Sequence, residues 1–409
     1  MQDSGVSGTA GRPAVLVLNT GSSSIKAGVF EAGKGDRPIL SALAERLGTA
    51  EAHCSLRDPD GSKLDAPQPP EDSKFTDTKF THEAMLAWLI PLLRQRSGVE
   101  LVAAGHRIVH GGAHYSRAVA IDDSVVAALN QLIPMARTHQ PYGLAAVEAV
   151  RKRWPELPQV ACFDTAFHAT ISHLNRMVAL SRPIIDKGVR RYGFHGLSYA
   201  WIASHLPDIL GARAKGRVIV AHLGNGASLC GLIGCESRAT SMGFSTLEGL
   251  MMGERPGTLD PGIVLFLLEE LGMNLEEVRH LLFKESGLKG VSGLSNDMRT
   301  LLASESPFAK EAVALYIHRA VREIGAVAAE IGGLDALIFT AGIGEHAAPI
   351  RAGIVEGCSW LGAELDPAAN AADATLISPP GAKVTAYVIP TNEEAVIARE
   401  TRAALDLNP

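Results

Sequence analysis

The chain has 409 residues, of which 46% are hydrophobic, and its 38 basic and 44 acidic side chains give a net charge of −6. This length favours two domains, and the hydrophobic content is sufficient for large cores. No basic run stands out, which argues against nucleic acid as a partner. No apolar stretch approaches the ~20 residues that a membrane span requires.

The start of the chain and its cysteines predict where the protein works. The first residues, MQDSGVSGTAGRP, lack a charged segment followed by an apolar one, so residues 1–13 are expected to be a disordered tail rather than a leader. The five cysteines form no C-x-x-C pair. This usage is typical of thiols in a reducing cytoplasm rather than of disulfides or a metal site. We therefore expect a cytoplasmic protein.

A possible phosphate-binding loop occurs twice, about 200 residues apart. Residues 15–30 read VLVLNTGSSSIKAGVF, and residues 218–233 read VIVAHLGNGASLCGLI. In each, a β-branched run leads through a turn rich in Gly, Ser or Asn into a second strand-like run. Such a turn exposes backbone N–H groups and suits phosphate oxygens, although most Ser/Gly turns are only turns. Two in matching settings predict a duplicated α/β domain that grips one polyphosphate. Neither loop matches a P-loop or a dinucleotide fingerprint.

Between these loops, the pattern alternates between helices and strands. Thr81 is a plausible N-cap for a helix, with Phe80 and Met85 as its hydrophobic staple and Pro91 as a residue that should kink or shorten it. A surface loop is expected at 57–76, a strand at 101–109, helices near 123–133 and 142–153, and a buried strand at 160–163 that ends at Asp164.

The second half repeats this order of elements. Apolar residues at helical spacing predict a long helix over 313–331, closed by Gly332 and Gly333. A buried strand at 336–340 then enters AGIGEH, which is expected to be a glycine turn leading into a helix that a nucleotide can approach closely. A strand at 384–389 and a helix at 393–405 end the chain. Strands mixed with helices favour an α/β enzyme.

Nine segments now identify a family that the chain resembles. They are NTGSSSIK (19–26), GHRIVHGG (105–112), FDTAFH (163–168), YGFHGLS (192–198), HLGNGAS (222–228), TSMGFSTLEGLMMGERPG (240–257), SNDMR (295–299), AGIGEH (341–346) and PTNEE (390–394). They occur in the order of the acetokinase family, within the superfamily of acetate and sugar kinases, Hsp70 and actin. The resemblance runs from about Ala14 to Arg402.

The resemblance implies an α/β fold of duplicated actin-like (ribonuclease H-like) domains with an active-site cleft between them. The N-terminal domain would comprise residues 14–160, with the C-terminal segment 385–405 packing back on it, and the C-terminal nucleotide-binding domain residues 161–384. The implied activity is reversible, direct in-line phosphoryl transfer from ATP to acetate, giving acetyl phosphate and ADP. Mg²⁺, or Mn²⁺ in its place, is the implied cofactor, and a homodimer the implied assembly.

Other functions remain open beside this one. A propionate or other short-chain acyl kinase, or a relative that uses pyrophosphate, would share the same segments. A nucleotide-binding regulator that has lost catalysis belongs to a different class, and the retained charged residues argue against it.

Four residues are implied as catalytic. Arg107 and Arg255 would bind the acyl carboxylate and the transferring phosphoryl group, because a guanidinium donates in a planar, bidentate way; a surface ion pair is the bland alternative for each. His195 would donate a hydrogen bond to the phosphoryl group, although a packed structural histidine is also common. Asp164 would position an arginine and magnesium-bound water, or merely cap a turn.

The remaining implied site residues fall into three groups. The metal-linked residues are Asn19 and Glu393, although Glu393 also stands at a good helix start after Asn392. The acyl-binding residues are Arg107, Val109, Thr138, His139, Phe194 and Thr246. The nucleotide-binding residues are Ser22, Ser24, Lys26, His222, Leu223, Gly224, Asn225, Gly226, Asp297, Met298, Arg299, Gly342, Ile343, Gly344, Glu345 and His346.

The sequence departs from the family pattern at several positions. The departures are His346 for Asn, Ala239 for Asp, Tyr199 for the His that follows Ser198, Thr138 for Leu and Thr246 for Pro. The change at His346 leaves the phosphoryl donor open. The two threonines leave the choice between acetate and propionate open, because their positions line the methyl pocket.

Overall fold

The computed structural model describes residues 11–21, 24–49, 52–65 and 81–407. Contacts within the chain divide it into two units. Unit 1 runs to Ala166 and resumes at Asn392, and unit 2 runs from Phe167 to Thr391. In the described part of the chain, every helix is too short or too polar to cross a bilayer.

Unit 1 is a mixed sheet with helices on both faces. The strands are β1 (Arg12–Thr20), β2 (Ser24–Glu31), β3 (Leu40–Glu45), β4 (His53–Arg57), β5 (Lys63–Leu64), β6 (Val99–Ile108), β7 (Val119–Ala120) and β8 (Gln159–Phe163), in the order β5-β4-β3-β2-β1-β6-β8-β7. The helices are α1 (His82–Ser97), α2 (Asp123–Gln131), α3 (Gln140–Arg153) and, numbered by its place in the chain, α15 (Glu393–Ala404). Strand β1 is buried along Ala14–Thr20, which explains its unbroken apolar run.

Unit 2 has a smaller sheet of the same kind. Its strands are β9 (Arg217–Leu223), β10 (Ala227–Ile233), β11 (Glu236–Thr240), β12 (Ala336–Thr340) and β13 (Thr385–Val388), in the order β11-β10-β9-β12-β13. Its helices are α4 (His173–Arg176), α5 (Arg182–Ile185), α6 (Gly196–Leu210), α7 (Pro261–Glu269), α8 (Leu275–Lys284), α9 (Gly287–Ser292), α10 (Met298–Leu302), α11 (Pro307–Glu330), α12 (Ala341–His346), α13 (Ala348–Gly357) and α14 (Pro367–Ala371).

The two sheets share one core topology. In unit 1, β3, β2 and β1 are successive antiparallel neighbours, and β6 and β8 then add in parallel. In unit 2, β11, β10 and β9 are antiparallel neighbours, and β12 and β13 add in parallel. The repeated loop motif therefore reflects a duplicated sheet, because each loop joins the first two strands of its unit.

Close helix packing sets where the charged end of α15 lies. A Cβ on Gly105 of β6 would lie 2.1 Å from the hydroxyl oxygen of Thr401 and 2.8 Å from a methyl carbon of Ile397. Only glycine lets α15 approach β6 this closely. Because α15 begins at Glu393, this packing carries its first carboxylates toward the ends of β1 and β6.

Several local predictions differ from the structure. Thr81 caps α1 as predicted, accepting from the Ala84 N–H, but the helix continues past Pro91 to Ser97. Six buried side chains hold it, namely Met85, Leu86, Leu89, Ile90, Leu92 and Leu93. Arg12 and Pro13, assigned to a tail, begin β1. AGIGEH is itself helical, and Ala341, with φ of 64°, makes the turn that glycine was expected to make. Residues 1–10, Ser22, Ser23, 50–51, 66–80 (including Phe80) and 408–409 lie outside the described residues.

Candidate active site

A buried ion pair between Arg107 and Asp164 forms the centre of the polar site in unit 1. Arg107 lies near the end of β6, and Asp164 directly follows β8, its parallel neighbour. The guanidinium donates through Nε to Oδ1 at 2.9 Å and through Nη2 to Oδ2 at 2.6 Å. The Asp164 side chain is 1% exposed and that of Arg107 15%. This two-point bond fixes the plane of the guanidinium.

Asn19, the penultimate residue of β1, connects this pair with α15. Its amide nitrogen donates to Glu393 Oε2 at 2.9 Å and to Glu394 Oε1 at 2.8 Å, and its carbonyl oxygen accepts from Arg107 Nη1 at 3.2 Å. The cap of α15 is Asn392, which accepts from the Ala395 N–H at 3.0 Å. The TNEE segment therefore starts a helix, as its alternative reading predicted, and it also presents two carboxylates to Asn19.

These carboxylates also determine the charge state of Arg107. Burial by itself lowers the pKa of a guanidinium, but the charge and hydrogen bonds of Asp164, with Glu393 and Glu394, outweigh burial and raise the pKa of Arg107 above its ordinary value. Arg107 is thus a permanent cation held in one orientation. Such a group can bind a carboxylate or phosphoryl oxygen without first having to be ordered.

The residues around Asn19 have the donor chemistry of a magnesium site. Among the described residues, no three His, Cys, Asp or Glu side chains converge as a metal cluster. Mg²⁺ does not need one, because it keeps several waters and takes one or two carboxylates. Glu393, Glu394 and the Asn19 carbonyl oxygen supply hard oxygen ligands, so this donor set fits a largely hydrated Mg²⁺.

The other predicted residues of unit 1 lie around the same strand ends. Lys26 is the β2 partner of Asn19 across the hairpin, and the Gly21 N–H donates to the Ser24 carbonyl at 2.8 Å to close the first loop. Val109 follows β6 and is buried. The Thr138 hydroxyl bonds to the ring of His139 at Nδ1, at 2.8 Å.

In unit 2, two histidines stack beside the second loop. His195 has a φ of 57° immediately before α6, and its ring lies 4.2 Å from that of His222, with 15° between their planes. His195 Nδ1 lies 2.8 Å from Ser228 Oγ, and His222 Nδ1 lies 2.9 Å from Ser198 Oγ. Each ring is therefore held through Nδ1, which orients it and determines where Nε2 points.

Arg255 reaches the same loop as a half-buried cation. A Cβ on Gly226 would lie 2.7 Å from Arg255 Nη2 and 3.3 Å from His195 Nε2, so the glycine lets both donors meet at the loop. Arg255 Nη1 donates to the Thr246 carbonyl at 2.7 Å, and no ion pair holds this arginine among the described residues. Burial lowers the pKa of Arg255 to about 10, against the opposing charge of Glu254. Arg255 therefore stays protonated at neutral pH.

The second loop is tied to the segment expected to bind adenosine. The Gly253 N–H donates to the Asn225 carbonyl at 3.0 Å, and Asn296 Nδ2 donates to Asn225 Oδ1 at 3.4 Å. Asp297 caps α10 and pairs with the exposed Arg299 at 2.7 Å. Leu223 and Met298 are buried.

The AGIGEH segment is held from both sides. Glu345 Oε1 accepts from the Ala341 N–H at 2.8 Å and from the Thr391 N–H at 3.2 Å, so this carboxylate stabilises the turn. The fully buried Arg351 donates to the carbonyls of Gly344 and Glu345 at 3.0 and 2.9 Å. The His346 side chain is exposed. Gly342 is also exposed, and Ile343 is half-buried.

Phe194 is buried, and its carbonyl oxygen is bound to His168 Nε2 at 2.9 Å.

Sequence reasoning missed several residues that hold the site. They are Gln140, Ser198, Ser228, Arg351 and, as a partner of Asn19, Glu394. Gln140 accepts from the His110 N–H at 3.0 Å and donates to its carbonyl at 3.1 Å, which ties α3 to the segment after β6. Only the two serines could have been found from the sequence, by their position. Ser228 is the last residue of HLGNGAS, and Ser198 is the last residue of YGFHGLS.

The duplicated sheets and the cation-lined glycine loop define an enzyme of the actin-like ATPase fold. The family model for the acetokinase family matches residues 14–399. An acetate kinase from Rhodopseudomonas palustris is 49% identical over 391 residues, which are 94% of this chain and 96% of that protein. The chain therefore belongs to the acetokinase family.

Solved structures agree with this assignment. The crystal structure of Porphyromonas gingivalis acetate kinase is 36% identical, with a TM-score of 0.82, and the match covers 96% of this chain and 100% of that one. A propionate kinase structure from Francisella tularensis is 33% identical, with a TM-score of 0.85 and coverage of 96% and 99%. These comparisons confirm the predicted fold class and family.

Proposed function

We propose that this protein transfers a phosphoryl group reversibly between ATP and acetate, giving ADP and acetyl phosphate. The observation that carries the proposal is Arg255, a half-buried cation without an ion-pair partner among the described residues, which meets His195 Nε2 at Gly226. A desolvated guanidinium beside a second donor is suited to a phosphoryl group whose charge spreads over its oxygens. Family membership supports acetate as the acceptor.

The chemistry asks for little covalent help from the protein. A carboxylate oxygen of acetate attacks the γ-phosphorus in line, the bond from phosphorus to the β,γ-bridging oxygen breaks, and ADP leaves with that electron pair. Because acetate is already ionised, no general base is needed. This fits Asp164, whose two oxygens are both engaged by Arg107. Asp164 would orient Arg107 rather than remove a proton.

Mg²⁺, or Mn²⁺ in its place, would be held through Asn19 and Glu393, mainly by way of water, with Glu394 beside them. When bound, the ion supplies charge neutralisation for the phosphates. The protein's own part there is to keep two carboxylates in place, which the Asn19 amide does by donating to both.

Replacing Glu393 with alanine should raise the Mg²⁺ concentration needed for half-maximal activity by about tenfold, since a ligand-supporting carboxylate is lost. A metal titration of the steady-state rate measures this. Glu100→Ala removes an exposed carboxylate near the opposite end of β6 and is the matched control. An unchanged metal requirement in Glu393→Ala would transfer the role to Glu394 or Asp164.

The residues proposed to bind the nucleotide follow from the family resemblance. Supporting residues are Ser24, Lys26, His222, Leu223, Gly224, Asn225, Gly226, Asp297, Met298, Arg299, Gly342, Ile343, Gly344, Glu345 and His346, with Ser22 outside the described residues. The bonds from Asn225 to Gly253 and Asn296 join the phosphate loop to the predicted adenosine segment, which supports one continuous binding surface in unit 2.

Thr138 and Thr246 should make the acyl pocket weakly selective, with propionate used within about tenfold of acetate, because one methylene is worth about 1–3 kcal/mol at most. The values of kcat/KM for acetate, propionate and butyrate in the wild type and in Thr138→Leu/Thr246→Pro measure this. Val109, His139 and Phe194 stay unchanged in both proteins. Strong acetate selectivity that survives the double substitution would show that the two threonines do not control specificity.

Propionate or another short-chain acid as the main acceptor, or pyrophosphate as the donor, is the nearest alternative, and one solved relative is titled a propionate kinase. A regulator without catalysis is the alternative of another class. A coupled ADP-release assay with a panel of carboxylates and donors separates these. Turnover with acetate and ATP supports the proposal, turnover only with another pair replaces it, and nucleotide binding without turnover indicates the regulator.

A homodimer is the assembly we propose, and α7 supports it. This helix reads PGIVLFLLE and buries none of its residues within its own chain. Leu265 and Phe266 are 54% and 51% exposed. An apolar helix left open to solvent is typical of a subunit interface, and a second copy of the chain would cover it.

Replacing Phe266 with glutamate should convert the dimer into a monomer, because a charge in the centre of an apolar contact is costly to bury. Light scattering coupled to size-exclusion chromatography gives the mass directly. Leu174→Glu, at an exposed leucine outside α7, should remain dimeric. A monomeric wild type at micromolar concentration would contradict the proposal.

The cytoplasm is the location we propose. All five cysteines are free, and Cys162, Cys230 and Cys358 are buried thiols. Burial raises the pKa of Cys230 and of Cys358 to about 12. Such thiols are unreactive and persist in a reducing compartment.

A further inference from the structure

Ser228 lies between His195 and a buried tyrosine that the proposed reaction does not use. The Ser228 hydroxyl oxygen is 2.8 Å from His195 Nδ1 and 2.5 Å from the hydroxyl oxygen of Tyr199. Tyr199 and Ser228 are both fully buried. Tyr199 belongs to the first turn of α6, and its N–H donates to the His195 carbonyl at 3.1 Å. Backbone and side chain thus both connect Tyr199 with His195.

The hydrogen bonds from Tyr199 through Ser228 to His195 determine which atom donates at each step. Among the described residues, Ser228 Oγ is the polar partner of the Tyr199 hydroxyl, and burial keeps the pKa of that phenol well above its ordinary value. The phenol therefore keeps its hydrogen and donates it to Ser228. Ser228 can then turn its own hydrogen toward His195 Nδ1. A neutral imidazole that accepts at Nδ1 carries its hydrogen on Nε2.

His195 Nε2 is the atom that faces the second loop. It would lie 3.3 Å from a Cβ on Gly226, beside Arg255 Nη2. His195 stacks on the ring of His222 on β9 and lies beside the Arg255 guanidinium, whose positive charge disfavours a charged imidazole. A neutral His195 ring with its hydrogen on Nε2 can still donate a hydrogen bond at the second loop.

We propose that Tyr199 is a positioning residue that, through Ser228, holds His195 in the tautomer with its hydrogen on Nε2. The proposal rests on the proposed function, in which His195 donates to the transferring phosphoryl group. Tyr199 stands at a position where the sequence departs from the family pattern.

The test replaces Tyr199 with phenylalanine in the full-length protein and measures two things. The first is ¹⁵N NMR of ring-labelled histidine without substrates, with His195→Ala identifying the His195 signals. The wild type should show a protonated Nε2, and Tyr199→Phe a mixture of tautomers. The second is the pH profile of kcat. We expect kcat to fall by about three- to tenfold, the usual effect of losing one neutral hydrogen bond, with a shifted pH profile and little change in KM.

Tyr316→Phe is the matched control. Tyr316 is also a buried tyrosine of unit 2, on α11, and its hydroxyl has no hydrogen-bond partner among the described residues. Tyr316→Phe removes one hydroxyl oxygen, as Tyr199→Phe does. It should leave the His195 NMR signals, the pH profile and kcat unchanged. A merely structural role for Tyr199 would change stability without changing the His195 tautomer.

Ser228→Ala breaks the connection at its second link and keeps the test decisive even if Tyr199→Phe is poorly folded. Its NMR spectrum should show the same tautomer mixture, and adding Tyr199→Phe to it should cost nothing more. Unchanged His195 signals in Tyr199→Phe or in Ser228→Ala, or fully additive losses of kcat, would overturn the proposal. Full activity in His195→Ala would instead refute the proposed role of His195 and leave the tautomer result standing.

Discussion

Replacing Arg255 with alanine is expected to lower kcat by roughly 100-fold or more and to leave the fold intact. The guanidinium is half-buried at the glycine loop and, in the described part of the chain, is held by the Thr246 carbonyl rather than by a carboxylate. Its removal leaves no carboxylate without a partner. The interaction that is lost is therefore the one with the transferring phosphoryl group. A donor aimed at charge that develops in the transition state is worth about 3 kcal/mol.

Steady-state kinetics and a thermal melt of Arg255→Ala provide the measurement. Arg255→Lys keeps the charge but loses the planar fork, so its kcat should fall between the wild type and the alanine variant. Arg238, in an exposed ion pair with Glu236, provides the control, and Arg238→Ala should have normal kinetics. Near-normal turnover in Arg255→Ala would remove this residue from the chemistry.

Replacing Arg107 with alanine is expected to cut kcat by a similar factor and also to destabilise unit 1. Unlike Arg255, Arg107 has a carboxylate partner, and Asp164 is 1% exposed. Breaking such a pair from one side leaves a buried charge and typically costs about 3–5 kcal/mol of the free energy of unfolding. The variant should therefore lose both activity and melting temperature.

The double variant Arg107→Ala/Asp164→Ala separates the two effects. Removing both charges should restore much of the melting temperature, because no carboxylate remains buried alone. Activity should not return, since the cation is still missing. A double variant that recovers activity together with stability would show that Arg107 acts only as a structural partner of Asp164.

Local patterns predicted most of the fold. The duplicated hairpins, the long helix α11 and the cap of α1 at Thr81 each follow from residues close in sequence. The helical form of AGIGEH was missed because its positive φ falls on Ala341, a residue that rarely adopts one. Pro91 was overrated as a helix breaker because the burial of α1's apolar face outweighs one lost backbone bond.

The site was predictable by residue type and not by contact. Arg107 and Asp164 were identified, but their two-point bond depends on the parallel register of β6 and β8. The bond from Tyr199 to Ser228 joins residues 29 positions apart, and that from Asn19 to Glu394 joins residues 375 apart. No spacing rule reaches such distances.

The most direct test of the proposed reaction is ³¹P NMR of the purified protein with ATP, acetate and Mg²⁺. We predict that an acetyl phosphate signal appears as ADP forms, and that ATP forms again when acetyl phosphate and ADP are supplied. Arg255→Ala, at equal concentration, should show either conversion about 100-fold more slowly. A folded, nucleotide-binding protein that produces neither acetyl phosphate nor ATP would contradict phosphoryl transfer to acetate.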